Sequence, residues 1–267
     1  MKPIISIAVH DWHAPVSSEL ATHALDALEA GSVLRLPLPF TLSADEQSLL
    51  SPELLSGARK NISYNPTNAR LQGADGDAAL EARLKGFLMR YHASARALIG
   101  QLFAPYRGHL IDGRASYRPA EIAGRIPKSW RHDDTRLHVD AFPATPVHGR
   151  RLLRVFNNIN PHGEPRRWQV GEPFAEVAAR FQPRAPQPSA LKTRLMAMTQ
   201  ITKSKRSAYD HYMLHLHDGM KADLDYQAQV AKTPVEFAPG ETWIVYSDQV
   251  SHAVLAGRYM LEQTFYV

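Results

Sequence analysis

Apolar residues recur at helical spacing through one long stretch of the chain. Leu80, Leu84, Phe87, Leu88, Tyr91, Ala95, Leu98, Ile99 and Leu102 fall on one stripe and predict a helix from about Asp77 to Phe103. Glu19 to Ala30, closed by Gly31, reads as an earlier helix, and Ser43 with Glu46 has capping-box spacing that starts a short one near Ala44. From Leu110 the pattern changes to short segments rich in valine, isoleucine, leucine and aromatics, divided by proline, glycine and asparagine. These predict strands at Arg136 to Phe142, Leu152 to Ile159, Thr233 to Phe237, Thr242 to Ser247 and Tyr259 to Val267. Between the second and third lies a helical insertion, about 172–230. Pro173 opens one helix, Ala190 to Thr202 forms another, and Tyr209, Tyr212, Met213, Leu216 and Met220 mark a third.

An antiparallel β-core with helices outside it follows, so the expected class is α+β, a barrel or jelly roll rather than a parallel sheet. With 267 residues, no repeat and no linker, the chain reads as one domain: residues 1–110 a mainly helical support, residues 111–267 the β-core. No apolar run approaches the roughly 20 residues of a membrane span, and the N-terminus lacks the pattern of a signal peptide. The expected location is the cytoplasm, either free or in peripheral contact with the inner membrane.

Composition narrows the chemistry. There is no cysteine beside 13 histidines and 26 acidic residues, so thiolate metal sites, iron–sulfur clusters and nucleophilic thiols are excluded. A metal would be held by imidazole and carboxylate. The net charge of +5 favours anionic partners. Walker loop, GxSxG elbow and dinucleotide fingerprint are all missing, and the dispersed basic residues carry no nucleic-acid-binding motif.

Three His-x-Asp/Glu pairs occur where chance gives about one: His132 with Asp134, His138 with Asp140, and His162 with Glu164. Only His138 stands in apolar alternation, where period-two geometry aims it and Asp140 at one face of a strand. His252, beyond the turn at Pro239 and Gly240, is the best third ligand. Two histidines and a carboxylate on one face of a metal describe a non-haem Fe(II) oxygenase site. Polar core residues satisfied by ordinary hydrogen bonds remain the alternative on this pattern alone.

Such an oxygenase needs a fixed cation for the distal carboxylate of 2-oxoglutarate. Arg154 supplies it if it points inward, with Phe156 and Asn158 on its face; Arg258 is the alternative, and Gln263 could assist. Arg166, Arg167 and Trp168 combine charge with an aromatic ring, suiting a sugar or an anionic headgroup. His211 and His215 have helical metal spacing but lack the glutamate of a metalloprotease, so a polar helix face shaping the substrate mouth is the better reading. Lys203, Lys205 and Arg206 form a basic run, read as a solvated face or as a contact for lipid phosphates.

Three long blocks carry a closer likeness: HVDAFPATPVHGRRLLRVFNNINPHGEPRRWQVGEPF from His138, YDHYMLHLHDGMKAD from Tyr209, and PGETWIVYSDQVSHAVLAGRYMLEQTF from Pro239. They resemble the Kdo hydroxylase family. That resemblance implies a double-stranded β-helix (cupin-like jelly roll) with flanking helices, Fe(II) and 2-oxoglutarate as cofactors, and O2 as co-reactant. It implies hydroxylation of 3-deoxy-D-manno-oct-2-ulosonic acid (Kdo) at its deoxy carbon, on the sugar attached to lipid A. His138, Asp140 and His252 match the family's catalytic metal ligands. A non-catalytic jelly-roll sugar-binding module and another metal-dependent cupin enzyme stay as rival readings.

Overall fold

The computed structural model describes residues 2–57 and 59–267. In chain order the elements are β1 (Ile4–Ser6), α1 (Ser18–Glu29), β2 (Val33–Leu36), α2 (Ala44–Gln47), β3 (Ile62–Asn65), β4 (Arg70–Gln72), α3 (Ala78–Leu102) and β5 (Ile111–Arg118). Then follow β6 (Leu152–Asn158), β7 (Arg166–Pro173), α4 (Phe174–Phe181), α5 (Ala190–Met198), α6 (Ala208–Ala222), α7 (Leu224–Gln229), β8 (Thr233–Phe237), β9 (Thr242–Tyr246), β10 (Val250–Ala256) and β11 (Met260–Tyr266).

Two sheets face each other as a jelly roll. The larger has the order β1-β2-β9-β6-β11-β5-β3-β4, and the smaller β10-β7-β8. All pairings but β1 with β2 are antiparallel. The long helix α3 begins where its cap predicts, with Asp77 Oδ1 accepting the Leu80 N–H at 2.8 Å. Its stripe of Leu84, Phe87, Leu88, Tyr91, Leu98 and Ile99 packs on the outer face of the large sheet, against Leu153, Val155, Tyr117, Leu261 and Phe265. The Tyr91 hydroxyl donates to the Val155 carbonyl at 3.0 Å, which satisfies a polar group buried in that contact.

Strand alternation turns the opposite residues inward. Phe156, Trp243, Val245 and Met260 meet Trp168, Val170 and Phe237 of the small sheet. Phe237 stacks on Trp243 with centroids 4.0 Å apart, and Trp243 on Phe156 at 5.2 Å, so one end of the interior is filled by aromatic rings. The other end is polar and opens into a cleft.

Two expectations need correcting. Residues 1–110 supply β1 to β4 to the flanks of the large sheet besides α1 and α3; these strands are three or four residues long, too short for a periodicity signal. The segment Arg136 to Phe142 is not a strand but touches β10 through a single bridge, His138 to His252. Its outer edge meets a side chain rather than a strand, since Gln227 accepts from the Leu137 N–H and donates to the Leu137 carbonyl, both at 2.9 Å.

Phe87 lies edge-on to Tyr117 at 5.7 Å in the largest apolar cluster. Phe87→Ala should lower unfolding free energy by about 3–5 kcal/mol, read from the midpoint shift in denaturant titration at unchanged slope.

Candidate metal centre

His138 and His252 exchange a pair of backbone hydrogen bonds, His138 N–H to His252 O and the reverse, each 2.9 Å. That pairing sets their side chains on one face, with ring centroids 4.7 Å apart. Asp140, two residues on, returns to the same face, held by its N–H donating to the Ser247 carbonyl at 2.8 Å. One ligating atom from each of His138, Asp140 and His252 lies within 4.8 Å of the others. Close strand approach supports the arrangement: a Cβ on Gly171 of β7 would stand 2.6 Å from Ser251 Oγ and 3.0 Å from Leu137 Cδ1, so a larger residue there would push these side chains aside.

The protonation states suit a cation. His138 Nδ1–H donates to the Arg136 carbonyl and His252 Nδ1–H to the Val250 carbonyl, both at 2.8 Å, which leaves each Nε2 a free lone pair. Burial lowers the basicity of both imidazoles, and for His138 the neighbouring His252 and Lys221 add to it. Burial pushes the Asp140 carboxyl up, but Arg154 and the two imidazoles outweigh this and hold it well below the usual carboxylate range. Asp140 Oδ2 is buried without a hydrogen-bond partner among the described residues. Two neutral imidazoles and one ionised carboxylate are a donor set suited to a divalent ion.

A line of buried charge leads away from the triad. Arg154 of β6 points inward, its Nη2 3.3 Å from Asp140 Oδ2 and its Nη1 2.9 Å from Glu262 Oε1. Glu262 also takes Arg118 of β5, at 2.7 Å. Arg154 and Glu262 form part of the wall of a cleft of about 480 Å³, which Arg118, Arg114, Ser63, Phe142, Lys203 and Tyr266 also line.

A sequence model of 3-deoxy-D-manno-oct-2-ulosonic acid (Kdo) hydroxylase matches residues 11–267. The chain belongs to the Kdo hydroxylase family. Among solved structures it is similar to the apo form of the Kdo hydroxylase KdoO, described as a non-heme Fe(II) alphaketoglutarate dependent dioxygenase, with 46% identity and a TM-score of 0.96 over 100% of this chain and 89% of that one. The cobalt(II) complex of KdoO gives the same values. Its complex with alphaketoglutarate and Fe(III) gives 45% and 0.95 over the same shares. No curated protein sequence matches.

Within this Kdo hydroxylase fold, other residues singled out by sequence lie apart. Arg258 sits in the turn between β10 and β11 and pairs with Glu164 at 3.1 Å, away from the triad. The Asn158 amide donates to the carbonyls of Glu164 and Phe237, at 3.1 and 3.0 Å, so it anchors a turn. Gln263 alternates to the side of β11 opposite Glu262 and donates to the Gly113 and Thr264 carbonyls. None of these three side chains lines the cleft beside the triad.

The suggested substrate group also disperses. Arg166 is buried and donates to the Gly257 carbonyl at 2.6 Å, its basicity lowered by burial and by Arg118 to about 9. Arg167 is exposed against Glu236. Trp168 stacks on His252 at 5.0 Å and 17°, walling the metal face. On α6, His211 bonds the Pro186 carbonyl and lies tilted beside His215, with ring centroids 4.5 Å apart.

The α6 histidine that reaches the centre is His217, edge-on to His138 at 5.5 Å. It stands four residues from Met213 and three from Met220 on the buried stripe, a periodicity that would have distinguished it from His211 and His215. Lys221, Arg118 and Glu262 carried no motif and were missed.

Because Gln227 holds both backbone groups of Leu137, Gln227→Ala should weaken Co(II) binding by about tenfold or more without loss of helix content. Calorimetric metal titration alongside circular dichroism checks this.

Proposed function

We propose that this chain is an Fe(II)- and 2-oxoglutarate-dependent dioxygenase that hydroxylates the deoxy carbon, C3, of Kdo carried on lipid A. The observation that carries the reading is the convergence of two Nδ1-anchored histidines and Asp140 on one point, in a chain 46% identical to a protein named as such a dioxygenase. His138, Asp140 and His252 would hold the iron through two imidazole nitrogens and one carboxylate oxygen. When bound, iron and 2-oxoglutarate supply the oxidation: one oxygen atom of O2 goes into succinate as CO2 leaves, and the other goes into the C–H bond of the sugar.

The protein's own residues supply position and charge. Arg154, kept cationic against burial by Asp140 and Glu262, faces the cleft beside the metal and takes the distal carboxylate of 2-oxoglutarate. Arg118, on the other oxygen of Glu262, is placed to share that load. The rim residues Arg114 and Lys203 form no ion pair among the described residues, which leaves both for the carboxylate of Kdo. Phe142 on the cleft wall and Trp168 against His252 help keep water from the reacting carbon.

Anaerobic addition of Fe(II) and 2-oxoglutarate should give a charge-transfer band near about 500 nm, as for 2-oxoglutarate chelated on such an iron. Aerobic reaction with Kdo-lipid A should give succinate and a product heavier by one oxygen atom. His138→Ala, Asp140→Ala and His252→Ala should each remove band and turnover, and full activity in any one of them would overturn the ligand assignment. A missing band in the wild type would favour a sugar-binding module or another cupin enzyme.

Arg154→Ala should raise the KM for 2-oxoglutarate at least tenfold, roughly the loss of one charge-assisted contact. The same effect from Arg258→Ala instead would move the anchor to the β10–β11 turn.

A further inference from the structure

Helix α5 is built inside out. At the spacing i, i+4, i+7, its residues Leu191, Leu195 and Met198 form one apolar face, yet they are 79%, 58% and 71% exposed, and Ile201 just beyond is 60% exposed. The side chain buried toward the protein is the polar Thr193, whose hydroxyl donates to the Ala190 carbonyl. Eight large hydrophobic side chains are exposed among the described residues, and four of them fall within these eleven positions. Scattered surface leucines need no explanation, but a contiguous outward stripe marks a contact surface.

Charge indicates what the surface contacts. No aspartate or glutamate occurs between Glu176 and Asp210, while Lys192, Arg194, Lys203, Lys205 and Arg206 flank the stripe. None of these five forms an ion pair among the described residues. A second copy of the chain is a poor occupant, because an isologous contact would set this cationic patch against itself. An anionic lipid surface matches both parts: apolar side chains enter the acyl boundary, and lysine and arginine meet phosphates.

The patch is also tied to the active site. The Lys203 N–H donates to the Ala144 carbonyl at 2.9 Å and Arg206 Nη2 to the Pro143 carbonyl at 2.5 Å, so the chain leaving α5 is stitched to the loop that borders the cleft. Lys203 itself lines that cleft.

We propose that the exposed face of α5, with Ile201 and its basic flank, docks the protein on an anionic bilayer and presents the cleft to a sugar at the lipid surface. The siting of the cleft as the reaction site rests on the function proposed above; the docking surface does not.

The test is sedimentation with vesicles of phosphatidylcholine alone or with phosphatidylglycerol at 7:3. The wild type should bind the mixed vesicles, weakly bind the neutral ones, and lose affinity as salt rises. The triple variant Leu191→Ser, Leu195→Ser, Met198→Ser and the double variant Lys192→Glu, Arg194→Glu should each partition at least tenfold less, with unchanged thermal melting. Both should retain wild-type hydroxylation of detergent-dispersed Kdo-lipid A.

Equal vesicle binding by wild type and both variants, no binding by the wild type, or a wild-type dimer that the triple variant makes monomeric would each overturn the docking surface. Vesicle binding without hydroxylation would leave docking intact and sink the enzymatic reading. Hydroxylation in detergent without vesicle binding would do the reverse.

Discussion

The two hydrogen bonds exchanged between His138 and His252 bring together positions more than a hundred residues apart, and the rest of the centre is built on that junction. The bridge sets the imidazoles side by side, and the next turn of backbone returns Asp140 to them. The carbonyls of Arg136 and Val250 then fix which ring nitrogen faces inward. Everything outside holds this junction still: the large sheet and α3 from behind, β7 from the flank, α6 and α7 from the open edge. One ligand, His252, thus stands in a regular strand, while His138 and Asp140 are carried on irregular backbone pinned against it.

Burying charge is the second constraint. Arg154 sits between two carboxylates, and Glu262 between two guanidiniums, so the interior holds an alternating row in which each ion compensates its neighbours. Removing one member would strand another without water or partner, a cost that exceeds what an exposed pair contributes. The aromatic end of the interior tolerates no such charge, so the polar row and the aromatic stack divide the space between the sheets.

Much of this was legible in the sequence, and the failures have physical causes. α3 was readable from its stripe and cap, and β6, β8, β9 and β11 from short apolar runs between turn residues. β5 was not, because Asp112, Gly113, Arg114 and Arg118 break its apolar alternation; those residues face the cleft, where function displaces the folding signal. The triad was readable because His138 and Asp140 lie two apart in apolar company. Strand parity grouped Arg154 with Phe156 and Asn158 but left open which face turned inward, and the ion pairs with Asp140 and Glu262 show that it is this one. That Arg258, Asn158 and Gln263 turn away from the cleft was not legible, because position along a strand or beyond a ligand does not tell which side a side chain takes. His217 and Lys221 were lost among the polar residues of α6, although their helical phase placed them toward the core.

The Gln227 side chain has a meaning beyond holding a metal ligand. Residues 136–139 run along the margin of the small sheet beside β10, and an unpaired margin with free N–H and C=O groups is where another polypeptide can add itself as a strand. By answering both backbone groups of Leu137 with one carboxamide, the α7 helix closes that margin with a cap no extended chain can displace without unseating the helix. The helical insertion therefore also covers the sheet edge that carries His138, and leaves the backbone groups of Leu137 occupied where a further strand would have to pair.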